Sequence, residues 1–324
     1  MAWTWRLRLV PEQTRIDFFR LQWITFGLSA AMVLISFVSF LTLGFNFGID
    51  FRGGTTIRTE TTTPIDVGEY RNALQGLGLG DVTITEVFDP TFAEDQHVAE
   101  LRIAAQDDAE AVSQETLQQV EAALKAVDPE VRFTQVESVG PKVSGELVRK
   151  ALLAIAAASV GIGIYIWMRF EWQYSVGTIA ALLHDVIVVA GIFSLFQLKF
   201  DLTIVAALLT ILGYSVNDTV VIFDRVRENL QKYKTMPLRD IMNLSANETL
   251  SRTLVTAGTT LLALIPLLIF GGDVIRGFIF AMTLGVFIGT YSTIYVAKNI
   301  VLWIGLPRGE AARKTRSPFA DIDA

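Results

Sequence analysis

The sequence predicts an α-helical integral membrane protein of six spans, with a ferredoxin-like α+β domain of order βαββαβ between the first two. Three observations predict it: apolar runs of membrane-spanning length, one long polar segment, and residue periods in that segment that switch between two and 3.6. Hydrophobic residues make up 52% of the 324 and charged residues 19%, with a mean hydropathy of +0.45. A soluble chain carries about 25% charged residues, and here the deficit is concentrated in the runs.

Taken in order, the runs cover 23–43, 151–168, 176–195, 202–223, 254–270 and 278–304. Each approaches the ~20 residues that cross ~30 Å of hydrocarbon at 1.5 Å per residue. The first is too long, and too poor in cleavage signals, for a removed signal peptide. The expected organisation is a cytoplasmic segment 1–20, a first span within 21–46, the α+β domain at 47–148, five further spans within 149–305, and a polar, disordered tail at 306–324. An inner loop at 224–251, charged and containing Pro237, is expected to form one or two short helices along the membrane surface.

Basic residues set the orientation. Arg6, Arg8, Arg15, Arg20, Arg169, Arg225, Arg227, Lys232, Lys234, Arg239, Arg252 and the tail basic residues fall on one side, against only Lys199 and Arg276 in the two short loops of the other. Both termini are therefore expected in the cytoplasm of a bacterium, with the chain in its inner membrane. Residues 47–148 hold 19 Asp and Glu against 7 Lys and Arg, a net of −12. The whole chain carries −6, so the remainder is +6. An acidic outer domain beside a basic membrane body argues against nucleic-acid binding.

Within the polar segment, alternation predicts strands at 55–61, 82–87, 98–104 and 131–139, and helical spacing predicts helices at 64–77 and 111–127. The chain has no cysteine and two histidines, His97 and His184. Thiolate metal sites, disulfides and thiol nucleophiles are excluded, and no phosphate loop, nucleophile elbow or zinc-helix motif occurs. No cofactor or metal is expected, and the chain is not expected to be an enzyme.

Ionisable groups inside the spans are the candidate functional residues, because each costs roughly 2.5–3.5 kcal/mol to insert near a helix centre. Asp218 lies in span four, ~8 Å to the inner side of the midplane by helical rise, beside Asn217 and one turn after Tyr214. It suits a proton carrier; the alternative is a carboxylate satisfied by an arginine for packing alone. Arg252 opens span five and begins a stripe with Thr256, Thr259 and Ala263. As a fixed cation it is available to pair with Asp218; the alternative is an anchor that snorkels into headgroups. Pro266 is expected to kink that span. His184 and Asp185 sit mid-way along span three, neighbours expected to point apart, with a proton-path role and interhelical packing both open. Lys298, near the inner end of span six, is expected to snorkel. Ala281, Gly285 and Gly289, followed by Thr293, form a small-residue ridge for close helix packing.

After span one comes Gly48-Ile49-Asp50-Phe51-Arg52-Gly53-Gly54. Its glycines suit a tight reversal into the first strand, and Asp50 can satisfy backbone amides or an ion pair. This string resembles the hallmark of the SecD/SecF protein-export family. The span-four string Gly213-Tyr214-Ser215-Val216-Asn217-Asp218-Thr219, with Ser251-Arg252-Thr253 and Gly289-Thr290-Tyr291-Ser292-Thr293, resembles the SecF branch of it. The resemblance extends over about 20–305. It implies a subunit pairing with SecD and a small accessory membrane subunit, associated with the SecYEG channel, that uses the protonmotive force to help export unfolded polypeptides. It also implies roles in proton conduction for Asp218 and Arg252. A non-conducting scaffold of a secretion complex and a small-molecule proton antiporter of the same superfamily are the alternatives.

Overall fold

The computed structural model describes residues 14–105 and 112–307; the expected disordered tail, residues 308–324 of it, lies outside them. The first span is α1 (Gln22–Thr42), which hands over to β1 (Asn46–Phe47) and the one-turn helix α2 (Ile49–Arg52). The α+β domain follows as β2 (Gly54–Thr61), α3 (Val67–Gln75), β3 (Val82–Val87), β4 (His97–Ala104), α4 (Gln114–Val127) and β5 (Arg132–Val139). Next come α5 (Pro141–Arg169), α6 (Trp172–Leu195), β6 (Lys199–Phe200), α7 (Leu202–Lys232) and α8 (Leu238–Phe270). The sixth span joins α9 (Asp273–Ser292), a π-helical turn (Thr293–Ala297) and α10 (Lys298–Ile304). Six of these stretches are long and apolar enough to cross a membrane, at the places the hydropathy predicts.

The domain sheet runs β3-β4-β2-β5, every neighbour antiparallel. Period-two alternation sends Ile57, Leu101 and Ile103 into the core against Tyr70, Leu74, Val120 and Leu124 of the helices. Both predicted helices start later than expected because side chains stop them. Asp66 accepts the Gly68 amide at 2.7 Å, and Ser113 accepts the Thr116 amide at 3.1 Å, both acting as N-caps. Beneath the sheet's helices, Asp128 accepts from Thr63 at 3.1 Å, Tyr70 at 3.2 Å and the Glu130 amide at 3.1 Å. Burial pushes this carboxyl up, but the hydrogen bonds from Thr61, Glu130, Thr63 and Tyr70 outweigh it and leave the group below its ordinary value. The same contact, after burial, drives the Tyr70 phenol upward.

Two expectations fail at the end of the bundle where α7 meets α8. Residues 224–251 are not surface helices: α7 continues to Lys232 and α8 begins at Leu238, leaving a connection of only 233–237. The charges end the apolar run without ending the helix, since no Gly or Pro interrupts 224–232. The two extensions are cross-linked where Glu248 accepts from Arg225 and Asn229, both at 2.7 Å. Lys298 does not snorkel. Its side chain is fully buried, because its direction is set by packing on the sixth span and not by its nearness to the interface.

Spans three, four and six form the centre of the bundle, and spans one, two and five lie at its edge. The small-residue ridge packs inside this chain. A Cβ on Gly285 would collide with Ile211 of α7. One on Gly289 would sit 3.1 Å from Ser215 Oγ, while Ala281 and Thr293 are buried on the same face. Thr293 and Thr219 then share a hydrogen bond of 2.9 Å across the seam.

Candidate functional site

Two intramembrane carboxylates occupy opposite environments. Asp185 is completely buried. Its Oδ2 accepts from Ser215 of α7 at 2.7 Å and Ser292 of α9 at 2.9 Å, and its Oδ1 meets His184 Nδ1 at 3.0 Å. The expected divergence of His184 and Asp185 is therefore wrong: both are buried and bonded to each other, while His184 Nε2 has no partner among the described residues. Glycines permit the arrangement, since Gly289 keeps Ser215 close and Gly177, at the crossing of α6 with the sixth span, faces the Ala297 carbonyl. Asp185 thus joins three spans, and its acceptor capacity is largely used.

Asp218 is also buried, at 3% exposure, yet accepts no hydrogen bond and joins no ion pair among the described residues. Arg252 supplies the nearest opposing charge, but its side chain stays exposed at the edge of the bundle. The expected pairing is electrostatic at a distance and not a contact. Tyr214, one turn before, lies near Thr260 and Asp218, and its buried hydroxyl makes no hydrogen bond of normal geometry. A buried carboxylate without donors is costly to keep charged, in contrast to Asp185, whose oxygens are satisfied.

The remaining predicted residues face outward. Asn217 is exposed, as are Arg252 and Thr259, and Thr256 is half-buried. The threonine hydroxyls are spent on their own helix: Thr256 donates to Arg252 O at 2.9 Å, Thr259 to Val255 O at 2.9 Å and Thr260 to Thr256 O at 2.9 Å. They form no continuous wire toward Asp218. Asn217 of α7 and Arg252 of α8 are left exposed by this chain, with Thr256 half-buried one turn beyond Arg252. Ser215 and Ser292, which nothing in their local sequence marks as ligands of a carboxylate, are the residues that bind Asp185. Ser292 stands within the Gly289–Thr293 string, one turn past Gly289.

At the other end of the bundle, the glycine string builds a rigid junction. The parallel pair β1–β6 sets Asn46 against Lys199 and Phe47 against Phe200, and the Gly48 amide donates to Phe200 O at 2.9 Å. Asp50 serves an amide: it accepts from Leu202 N at 3.0 Å at the start of α7. Phe51 packs edge-on to Phe47, with ring centroids 5.6 Å apart. Gly53 and Gly54 have φ of +73° and +127°, and a Cβ on Gly54 would strike the Ile103 carbonyl. Both positions therefore require glycine.

The sequence and fold can now be placed among known proteins. Residues 119–306 match the model for the C-terminal part of the protein export membrane proteins SecD/SecF, and residues 38–65 match the SecD/SecF GG motif. The protein translocase subunit SecF of Cereibacter sphaeroides is 64% identical over 98% of this chain and 99% of that protein. The protein translocase subunit SecDF of Brucella abortus is 40% identical over 93% of this chain, which spans 39% of its length. The crystal structure of SecDF, a translocon-associated membrane protein from Thermus thermophilus, superposes with a TM-score of 0.81 at 33% identity, covering 91% of this chain and 39% of that one. The chain therefore belongs to the SecD/SecF family of protein-export membrane proteins, in its SecF branch.

Proposed function

We propose that this chain pairs with SecD and couples inward proton movement to the export of unfolded polypeptides, with Asp218 as the group that is protonated and released. Pairing is supported by the fused relative, in which the region like this chain fills 39% of one SecDF polypeptide. It is supported too by the exposed Asn217 and Arg252, polar groups that need a covering partner in lipid. Association with a SecYEG channel and a small accessory subunit follows from the family resemblance. The positive-inside pattern supports cytoplasmic termini in the inner membrane, with the α+β domain, read as ferredoxin-like from its strand order, on the periplasmic side.

One observation carries the reading: Asp218 is buried with no hydrogen bond among the described residues, under the charge of an exposed arginine on the next helix. Protonation removes the attraction to Arg252 and changes how α7 packs on α8. A movement of α7 is passed outward through its first residues, which Asp50 and the β1–β6 pair tie to the α+β domain. A charge crossing the membrane is worth ~2.3 kcal/mol per 100 mV. Two or three protons thus supply the ~5.5 kcal/mol that swings a two-state element from about 1:99 to 99:1.

The test uses membrane vesicles holding this chain with SecD. Asp218→Asn should assemble normally but abolish stimulation of export by the proton gradient, and Arg252→Ala should do the same. The double variant should be little worse than either single one, because residues acting as a unit are non-additive. An assembled Asp218→Asn complex that still responds to the gradient would sink the proposal.

A further inference from the structure

Lys298 takes no part in the site described above, yet its ammonium is the most deeply enclosed cation of the bundle. The residue has 0% exposure, and Nζ has no hydrogen-bond partner among the described residues. What surrounds it is aromatic: Nζ lies 4.0 Å from the Phe19 ring centroid and 4.9 Å from that of Phe18. Its nearest charges are Asp17, which attracts, and Arg239, which repels. Asp17 is already engaged, accepting from the Phe19 amide at 2.9 Å, and Arg239 shares the nearer ring of the cage, 5.4 Å from the Phe19 centroid.

The lid of this cage is a strap, residues 14–20, lying outside the first span. It is held to the inner extension of α8 by two asparagines. Asn247 Oδ1 accepts from Thr14 Oγ1 at 2.7 Å and from the Ile16 amide at 2.8 Å. Asn243 Oδ1 accepts from the Phe18 amide at 2.9 Å, and both asparagine Nδ2 groups donate to Ile16 O. Besides these side-chain hydrogen bonds, the strap is held by the burial of Phe18 and Phe19.

Two further features mark the place. Among the described residues, both side-chain polar atoms of buried Asn299 are without a partner, as is Gln173 Oε1 on the facing helix. Orphaned polar atoms at the inner end of a bundle are groups that water satisfies when it enters. Immediately before Lys298 the helix widens into the π-helical turn Thr293–Ala297, a departure frequent at functional sites. That turn begins at Thr293, which is bonded to Thr219, the neighbour of Asp218 in the chain.

We propose that Lys298 is a second proton-binding site of the bundle, on the inner side of Asp218, and that the strap carrying Phe18 and Phe19 opens to admit water to it. An ammonium is a donor of hydrogen bonds and accepts none, and the closed cage gives it two ring faces and the charge of Asp17 but no hydrogen-bond acceptor among the described residues. The protonated form therefore gains more from an open, hydrated strap than the neutral amine does, and opening is favoured as pH falls. The inference rests on the proton-coupling reading, whose exit side it supplies.

The experiment reads the strap directly, without a gradient. The full chain with SecD in nanodiscs is followed by hydrogen exchange of residues 14–21, from about pH 6 to about pH 9, corrected for intrinsic rates. One linked proton changes the opening equilibrium by up to about tenfold per pH unit, so protection should fall several-fold on acidification. Lys298→Met, close in length and uncharged, should remove that dependence and leave protection high throughout. Phe19→Leu, which keeps the lysine and opens the cage, should lower protection at every pH while preserving its slope. Identical pH profiles for the parent and Lys298→Met overturn the proposal, as does a parent strap whose corrected protection is flat. Asp218→Asn should leave the strap's profile in place, so loss of gradient-driven export and loss of strap titration are separate results.

Discussion

The carboxylate of Asp89, in the connection from β3 to β4, accepts the amide hydrogen of Asp273 at the first residue of α9. Its other oxygen accepts from Thr91 N at 2.9 Å and Thr91 Oγ1 at 2.7 Å. Arg276 completes the joint, donating to Phe88 O at 3.0 Å with its guanidinium 3.7 Å from Asp89. The α+β domain is thus fastened to the start of span six by a carboxylate at a helix N-terminus, where the macrodipole favours negative charge.

Asp89→Ala should loosen this joint, at a cost of ~1 kcal/mol by analogy with loss of an N-cap. The chain has no cysteine, so spin labels can be placed on Thr85→Cys and Ile275→Cys alone. Their distance distribution should be narrow in the parent and broad in the Asp89→Ala background. Burial pushes the Asp89 carboxyl up, but the Thr91 and Asp273 bonds and Arg276 outweigh it and hold the group below the ordinary carboxylate range. A depressed value means the joint is intact above the ordinary carboxylate range and is lost as pH falls beneath it. Broadening in the parent should therefore appear only on strong acidification.

The α+β domain, expressed as residues 54–139, should melt cooperatively with mixed α/β circular dichroism. Asp128→Ala strands the Tyr70 hydroxyl in the core and should cost about 1–3 kcal/mol. For a domain of this size each kcal/mol lowers Tm by roughly 4–8 °C. The Asp128 contribution, from a lowered carboxyl, should be present at neutral pH and disappear in acid. The Tyr70 contribution, from a raised phenol, should hold below about pH 10 and disappear above it. A melting temperature indifferent to both limits would show that the pair is not coupled to folding.

Gly285→Leu should prevent assembly of this chain itself, because the added side chain meets Ile211 on α7. Gly285→Ala together with Ile211→Ala should recover part of the loss, since volume removed from the neighbour makes room. Yield and monodispersity of the purified subunit measure both. Failure only in binding SecD, with a normal isolated subunit, would contradict packing within the chain.

The two intramembrane aspartates should separate by phenotype. Asp185→Leu leaves Ser215, Ser292 and His184 without their acceptor and should lower thermal stability, at about 1–3 kcal/mol for buried groups left unpaired. Asp218→Asn removes no hydrogen bond and should melt like the parent. Equal melting losses for both variants would mean Asp218 has structural partners of its own.

Hydropathy and period decided much of this protein by themselves. Six spans, a βαββαβ domain after the first, and glycines at Gly53 and Gly54 follow from local properties, namely apolar run length, alternation and the steric cost of a side chain at positive φ. Tertiary structure decided what each polar group inside the spans does. Asp185 and Asp218 look alike in sequence, but only Asp185 meets Ser215 and Ser292, residues 30 and 107 positions away. The ridge at Gly285 and Gly289 was legible, whereas its partner, α7 of the same chain, was not. Lys298 read as a snorkelling cation and proved enclosed, because Phe18 and Phe19 arrive from the opposite end of the chain. Charges at 224–232 marked the end of an apolar run, but helix propensity carried α7 on past it. Which face of a helix is satisfied depends on the register between distant elements, and that is settled when they pack together, not by the residues beside it in the chain.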